Sequence, residues 1–109
     1  DTDIRTISPD YQLLSQVKVR GTSITAPGDT VDFVSRFFAP QVGINEDPVT
    51  GSAHTTLVPY WAKKLNKNKL SARQLSKRQG LLNCRLETNR VCISGKAKTY
   101  LEGEIINLS

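Results

Sequence analysis

Asn45-Glu46-Asp47-Pro48-Val49-Thr50-Gly51-Ser52-Ala53-His54 gathers two carboxylates, a proline, a Thr-Gly-Ser turn and the chain's single histidine just ahead of an apolar-patterned helix. Asp before Pro is a helix-start signature: the carboxylate accepts backbone N–H bonds and proline suits the first turn. Thr50, Gly51 and Ser52 supply either that first turn or a tight loop feeding it. On both readings unpaired N–H groups point out of the helix start near Gly51 and Ser52. They make a site for an anion, most simply a substrate carboxylate or phosphate. A competing reading gives Asp47 and Ser52 no more than a capping role.

Working outward, Ala53, Leu57, Trp61 and Leu65 recur four residues apart and Val58 widens the stripe, so the spacing predicts the main helix over residues 53–66. About fourteen residues at 1.5 Å each give a rod of roughly 21 Å. Pro59 removes an N–H inside it and should bend it. Upstream, Phe33–Phe38 reads as a strand with Phe33, Ser35 and Phe37 on one face and Val34, Arg36 and Phe38 on the other. Both faces carry bulk, which predicts a central strand. A guanidinium at Arg36 then needs a partner, either an ion pair with Asp32, Glu46 or Asp47 or a carboxylate held in the site.

The remaining elements follow from local signals. Residues 1–7 read as a short strand or entry segment. Ser8-Pro9-Asp10 signals a second helix with Ser8 as cap. Tyr11, Leu14 and Val17 give it helical spacing, Gly21 is its latest end, and Gln12, Gln16 and Lys18 face outward. A strand is expected over residues 23–26, ahead of turn chemistry at Pro27-Gly28-Asp29. Past Asn68 the periodicity shortens to two, predicting strands over residues 70–76, 81–87, 90–94 and 97–105, with a hairpin turn at Thr88-Asn89. One strong helix among many strands predicts an α+β fold, a curved, mostly antiparallel sheet wrapped around a central helix, plus one outer helix.

The totals are those of one soluble globular domain: 109 residues, 38% hydrophobic and 23% charged. No apolar run reaches membrane-span length and no signal peptide is present, so no membrane partner is expected. Met is absent, so the chain reads as a fragment. The net charge is +5, with Lys and Arg crowded between Lys63 and Arg78. Aromatic residues are not interleaved there as stacking platforms, so this is read as a solvated helix exit and loop, without a nucleic-acid partner. Cys84 shares a strand face with Leu82 and Leu86 and should be a buried thiol, whereas Cys92 points away from Val91 and Ile93. With His54 these cysteines offer three soft ligands at no zinc-site spacing, so neither a metal nor another cofactor is expected.

Ser35-Arg36-Phe37-Phe38-Ala39-Pro40, Gly43-Ile44, the EDPVTGSAH string and Tyr60-Trp61 together closely resemble the C-terminal half of phenazine-biosynthesis-like (PhzF-type) isomerases. Gln74-x-Ser76-x-Arg78, Gly95-Lys96-Ala97 and Glu102-Gly103 continue the likeness, which runs from roughly Pro9 to Ile105. The resemblance implies the diaminopimelate-epimerase-like architecture of two similar halves. Residues 1–109 would be the C-terminal domain, with the N-terminal half of the same protein as a partner, a cytoplasmic location and a homodimeric assembly. It also implies a cofactor-independent isomerase or epimerase that moves a proton on a small carboxylate-bearing molecule. Asp47 and Ser52 would be catalytic, and backbone at Thr50, Gly51, Ser52 and Ala53 would bind substrate. Glu46, His54 and Arg36 are secondary candidates. A glutamate from the upstream half would be the principal acid/base, leaving the cysteines as bystanders. The alternative is a non-catalytic interaction domain that keeps the fold. One departure stands out: the family usually has Gly-Gly after the arginine matching Arg78, whereas this chain has Gln79-Gly80. If that turn needs a positive φ, Gln79 should strain it.

Overall fold

The computed structural model describes residues 2–17, 19, 21–96 and 99–106. Five strands form one sheet in the order β1-β2-β3-β4-β5: β1 Thr22–Pro27, β2 Phe33–Phe38, β3 Lys69–Gln74, β4 Gly80–Leu86 and β5 Val91–Gly95. Every neighbouring pair is antiparallel except β2 with β3, which run parallel. A parallel pair needs a crossover connection. Here that connection carries a 3-10 turn, Pro40–Val42, and the main helix, Gly51–Leu65.

That helix is the centre of the fold. His54, Leu57, Val58, Trp61 and Ala62 are its buried face. They pack with Phe33, Leu70, Ala72, Leu82 and Cys84 from β2, β3 and β4. The Phe33 and Trp61 rings stack at 5.7 Å with planes 7° apart. Burying each such aromatic or aliphatic side chain stabilises by about 1.5–3 kcal/mol. Trp61 Nε1 finds its acceptor at Thr25 Oγ1, 2.9 Å away on β1, so the one polar atom of the ring is satisfied. Pro59 lies within the helix and does not end it. Asn66, in the left-handed region that asparagine tolerates, closes it. Of the expected apolar stripe, only Leu65 is exposed.

The opposite face of β1 and β2 carries a smaller core of Ile4, Val34 and Leu75. Two short helices stand at this end, Thr2–Thr6 and Tyr11–Ser15, which corrects two expectations. The segment read as a short strand or entry segment is helical over Thr2–Thr6, Asp1 lying outside the described residues. The second helix is capped by Asp10, not Ser8: its carboxylate accepts from the N–H groups of Gln12 and Leu13, both at 3.1 Å. A charged acceptor two residues closer to the helical run outcompetes the serine. Lys18, expected on its polar face, lies outside the described residues.

A third correction concerns the strand expected over residues 97–105. Ala97 and Lys98 lie outside the described residues, and residues 99–106 form neither strand nor helix. Tyr100, Leu101 and Ile105 are almost wholly exposed. Alternation makes a strand only where a neighbour supplies a ladder and a surface to bury against. The basic run from Lys63 to Arg78 is a largely solvated face, as expected, with Lys63, Lys64, Lys67, Lys69, Lys77 and Arg78 exposed.

The β3–β4 turn carries the predicted strain. Gln79 has φ of +58°, a region that L side chains rarely adopt. Its N–H donates to Ser76 O and Ser76 Oγ. A left-handed non-glycine residue costs about 1–2 kcal/mol, partly offset by the extra freedom glycine brings to the unfolded chain. Gln79→Gly should therefore raise the free energy of unfolding by about 1 kcal/mol, read as a higher midpoint in urea. A lower midpoint would mean that the Gln79 side chain more than compensates for its backbone.

Candidate active site

The stretch from Asn45 to Thr50 is irregular, and its bonds go to other elements. Asp47 N–H donates to Phe37 O at 3.0 Å, fixing the loop to the end of β2. The Gln74 side chain, wholly buried at the end of β3, bonds two backbone groups of the same loop. Its Oε1 accepts from Thr50 N at 2.7 Å, and its Nε2 donates to Asp47 O at 2.8 Å. Two residues on, Ser76 Oγ donates to Pro48 O at 2.8 Å. Gly80 completes the seating, because a Cβ there would lie 2.2 Å from Val49 Cγ2. The loop is held by the β3–β4 turn rather than by its own helix.

These tertiary bonds move the helix start. The helix expected from residue 53 begins two residues earlier, at Gly51, with Thr50 as N-cap, so Gly51 and Ser52 are its first turn. Thr50 makes no side-chain capping bond; its hydroxyl donates to Asp47 Oδ2 at 2.6 Å instead. Asp47 and Ser52 therefore do not cap the helix. Among the described residues, no acceptor faces the N–H groups of Gly51, Ser52 and Ala53. Unpaired N–H groups at a helix start favour negative charge. Gly51 and Ser52 are exposed, and a Cβ built on Gly51 meets nothing within 4 Å. The missing side chain at Gly51 thus leaves open space rather than relieving a clash.

That space belongs to a hollow of about 460 Å³ between the helix start and β1–β2. Asp47, Thr50, Ser52, Ala53, Thr56 and Leu57 line one side, and Phe37, Ala39, Val42 and Ile44 the other. Asp47 also borders a broader groove on the side of the β3–β4 turn, beside Arg73, Arg78 and Lys96. The first hollow combines an apolar wall, an ionisable carboxylate and free backbone donors, the combination that small anionic ligands occupy.

The secondary candidates are placed differently. Arg36 and Glu46 form a two-pronged ion pair, Nε to Oε2 and Nη2 to Oε1, each 2.8 Å. Arg36 Nη1 donates to the carbonyls of Ile4 and Ile7. The Glu46 carboxylate holds the guanidinium more firmly protonated than usual. Of the partners considered for Arg36, Glu46 is the one found, and the pair ties the first helix to β2. His54 is fully buried beside Phe33, ring centroids 5.9 Å apart, and turned from the hollow. Its Nδ1 lies 2.8 Å from Thr50 O, an acceptor only, so Nδ1 carries the proton. Cys84 is buried in the core, its thiol pushed up to about 11 by burial, and Cys92 is a free thiol on the outer sheet face. Among the described residues no three His, Cys, Asp or Glu side chains gather into a metal-sized cluster, and no helix is long and apolar enough to cross a membrane.

Residue-type reasoning missed the clamp. Gln74 entered only as part of the family likeness, although a polar residue on the inward face of a core strand must find partners. That demand was the available signal.

Residues 1–103 match the family described as phenazine biosynthesis-like protein, PhzC-PhzF. The chain belongs to this family. An uncharacterized isomerase of Pseudomonas aeruginosa is 51% identical over 102 residues, covering 94% of this chain and 39% of that protein. A phenazine biosynthesis-like domain-containing protein of Mus musculus is 48% identical over 95 residues, 81% of this chain and 33% of the other. The crystal structure of a PhzF-family protein from Enterococcus faecalis superposes with a TM-score of 0.87 at 48% identity, over 93% of this chain and 42% of its own. This PhzF-family chain therefore has the expected diaminopimelate-epimerase-like α+β fold, and its bacterial relatives are named isomerases. It spans about two fifths of their length.

One consequence of the buried histidine is open to test. Burial holds the His54 imidazole below its ordinary value of 6.5, against an opposing effect from the Thr50 carbonyl, and Nε2 has no acceptor for a second proton. The unfolded chain binds that proton more readily, so His54 contributes full stability above about pH 6.5 and loses it as pH falls through the lower folded value. Asp32, held below 3.8 because Lys67 and Ser71 together outweigh its burial, acts only in a more acidic window. Urea midpoints should fall as pH drops below about 6.5, and His54→Gln should flatten that fall. An equal slope in the variant would remove His54 as its source.

Proposed function

We propose that this chain supplies the C-terminal half of the active site of a cofactor-independent isomerase or epimerase acting on a small carboxylate-bearing metabolite. One observation carries this reading: Asp47 stands beside an uncapped, solvent-open helix start on a hollow of metabolite size. The substrate carboxylate would be received by the N–H groups of Gly51, Ser52 and Ala53, with Thr50 completing the rim. Removal of a proton from an adjacent carbon leaves an electron pair that spreads into the carboxylate or a conjugated bond. The helix start offsets the resulting charge without a metal. Asp47 handles a proton on this side, Ser52 hydrogen-bonds the substrate or passes a proton on, and a glutamate from the N-terminal half faces them, as the family resemblance implies. That half is the expected partner, and two copies of the complete protein form the expected assembly. Arg36, Glu46 and His54 take structural parts in this scheme.

The test uses the full-length gene product in deuterated water with a panel of small amino- and hydroxy-carboxylates, following label uptake by NMR. Asp47→Asn should lower exchange by about 10²–10⁴-fold. Unchanged exchange would remove Asp47 from the chemistry, and an absence of exchange in the unsubstituted protein across the panel would favour the non-catalytic interaction domain.

A further inference from the structure

The hydrogen bonds of the buried Gln74 amide have a direction that the backbone dictates. Thr50 N can only donate, so the amide atom 2.7 Å from it is Oε1. The other end must then be the NH₂ group, and its second contact agrees: it lies 2.8 Å from the carbonyl of Asp47, which can only accept. The remaining Nε2 proton goes to Thr50 Oγ1 at 3.0 Å. A hydroxyl that accepts from Nε2 keeps its own proton for Asp47 Oδ2, 2.6 Å away.

We propose that Gln74 and Thr50 form a one-way hydrogen-bond chain that locks the Asp47 carboxylate in one orientation, with Oδ2 committed to Thr50 and Oδ1 left to exchange protons. Among the described residues nothing donates to Oδ1. The proposal rests on Asp47 being the proton-handling group and adds which of its oxygens does the work. Gln74 and Thr50 are positioning residues: neither needs to touch the substrate. The wholly buried amide suits the task because its rotation is blocked by three partners at once, two of them backbone groups. A carboxylate held in one orientation needs no search at the moment of proton transfer.

The readout is the side-chain geometry of Asp47, observed by NMR on the isotopically labelled chain without any substrate. Three-bond couplings from the Asp47 carboxyl carbon to its backbone nitrogen and carbonyl carbon report whether one staggered rotamer is held. The unsubstituted chain should show single-rotamer couplings, together with a Thr50 hydroxyl proton that exchanges slowly and lies close to the Gln74 amide protons. Thr50→Val, which keeps shape and removes the hydroxyl, should give averaged couplings, and Thr50→Ser should restore them. Gln74→Glu tests direction: its carboxylate would accept the Thr50 hydroxyl proton, so Asp47 should be released although Thr50 remains. Averaged couplings in the unsubstituted chain, or single-rotamer couplings in Thr50→Val, overturn the proposal. Failure here together with lost exchange in Asp47→Asn would leave the proposed activity standing without the lock. Intact couplings with full exchange in Asp47→Asn would keep the lock and remove the activity.

Discussion

Burial of one helix against one sheet is the constraint from which the site follows. The stack of Phe33 on Trp61, with Leu57, Val58 and Ala62 beside it, fixes the helix axially and in rotation. Trp61 Nε1 on Thr25 adds a directional bond to an otherwise non-directional contact. Once the rod is seated, its first turn must emerge at the edge of the domain with backbone donors exposed. The cost of leaving those donors unpaired is modest because water reaches Gly51 and Ser52.

The loop entering that helix cannot be held by the same apolar packing, since it carries polar backbone and a carboxylate. Its order comes from the end of β3 and the turn that follows it. Gln74 and Ser76 leave β3 and take the loop's backbone groups directly, while the missing side chain of Gly80 makes room for Val49. Stability and placement thus have separate sources: aromatic burial sets where the helix is, and a buried amide sets where Asp47 is. The Arg36–Glu46 pair is a third fixture. It anchors the residue before Asp47 to β2 through two bonds of 2.8 Å.

How far these features could be read in the residues depended on range. The bounds of β2 were legible because bulk on both faces admits only a central strand, and the main helix was legible in its four-residue stripe. The order of the β3–β4–β5 meander followed from alternation, with element ends displaced by one or two positions. Competing local signals misled at the start of the chain, where Asp10 overrode Ser8-Pro9. At the other end, the period-two pattern expected over residues 97–105 finds no pairing strand for residues 99–105 among the described residues. Asp47 and the helix start lie within ten consecutive residues, yet the buried amide that holds the Asp47 backbone lies 27 positions away. Nothing in local composition links the two; only the parallel alignment of β2 with β3 brings them together. The strain at Gln79 was legible only through the family likeness, in which glycine usually stands there; glutamine by itself carries no left-handed signal.

The parallel pairing of β2 and β3 also orders events in time. The β3–β4 and β4–β5 ladders join neighbours in the chain and can close early, whereas Asp32 meets Ser71 only across 39 positions of sequence. Closing so large a loop is entropically costly and is repaid only when the helix within it has found its bed. Gln74 is the last residue of that late ladder, opposite Ser35. The carboxylate's cradle is therefore among the last parts of the molecule to assemble, and a chain caught before that step would hold most of its secondary structure with an unformed site.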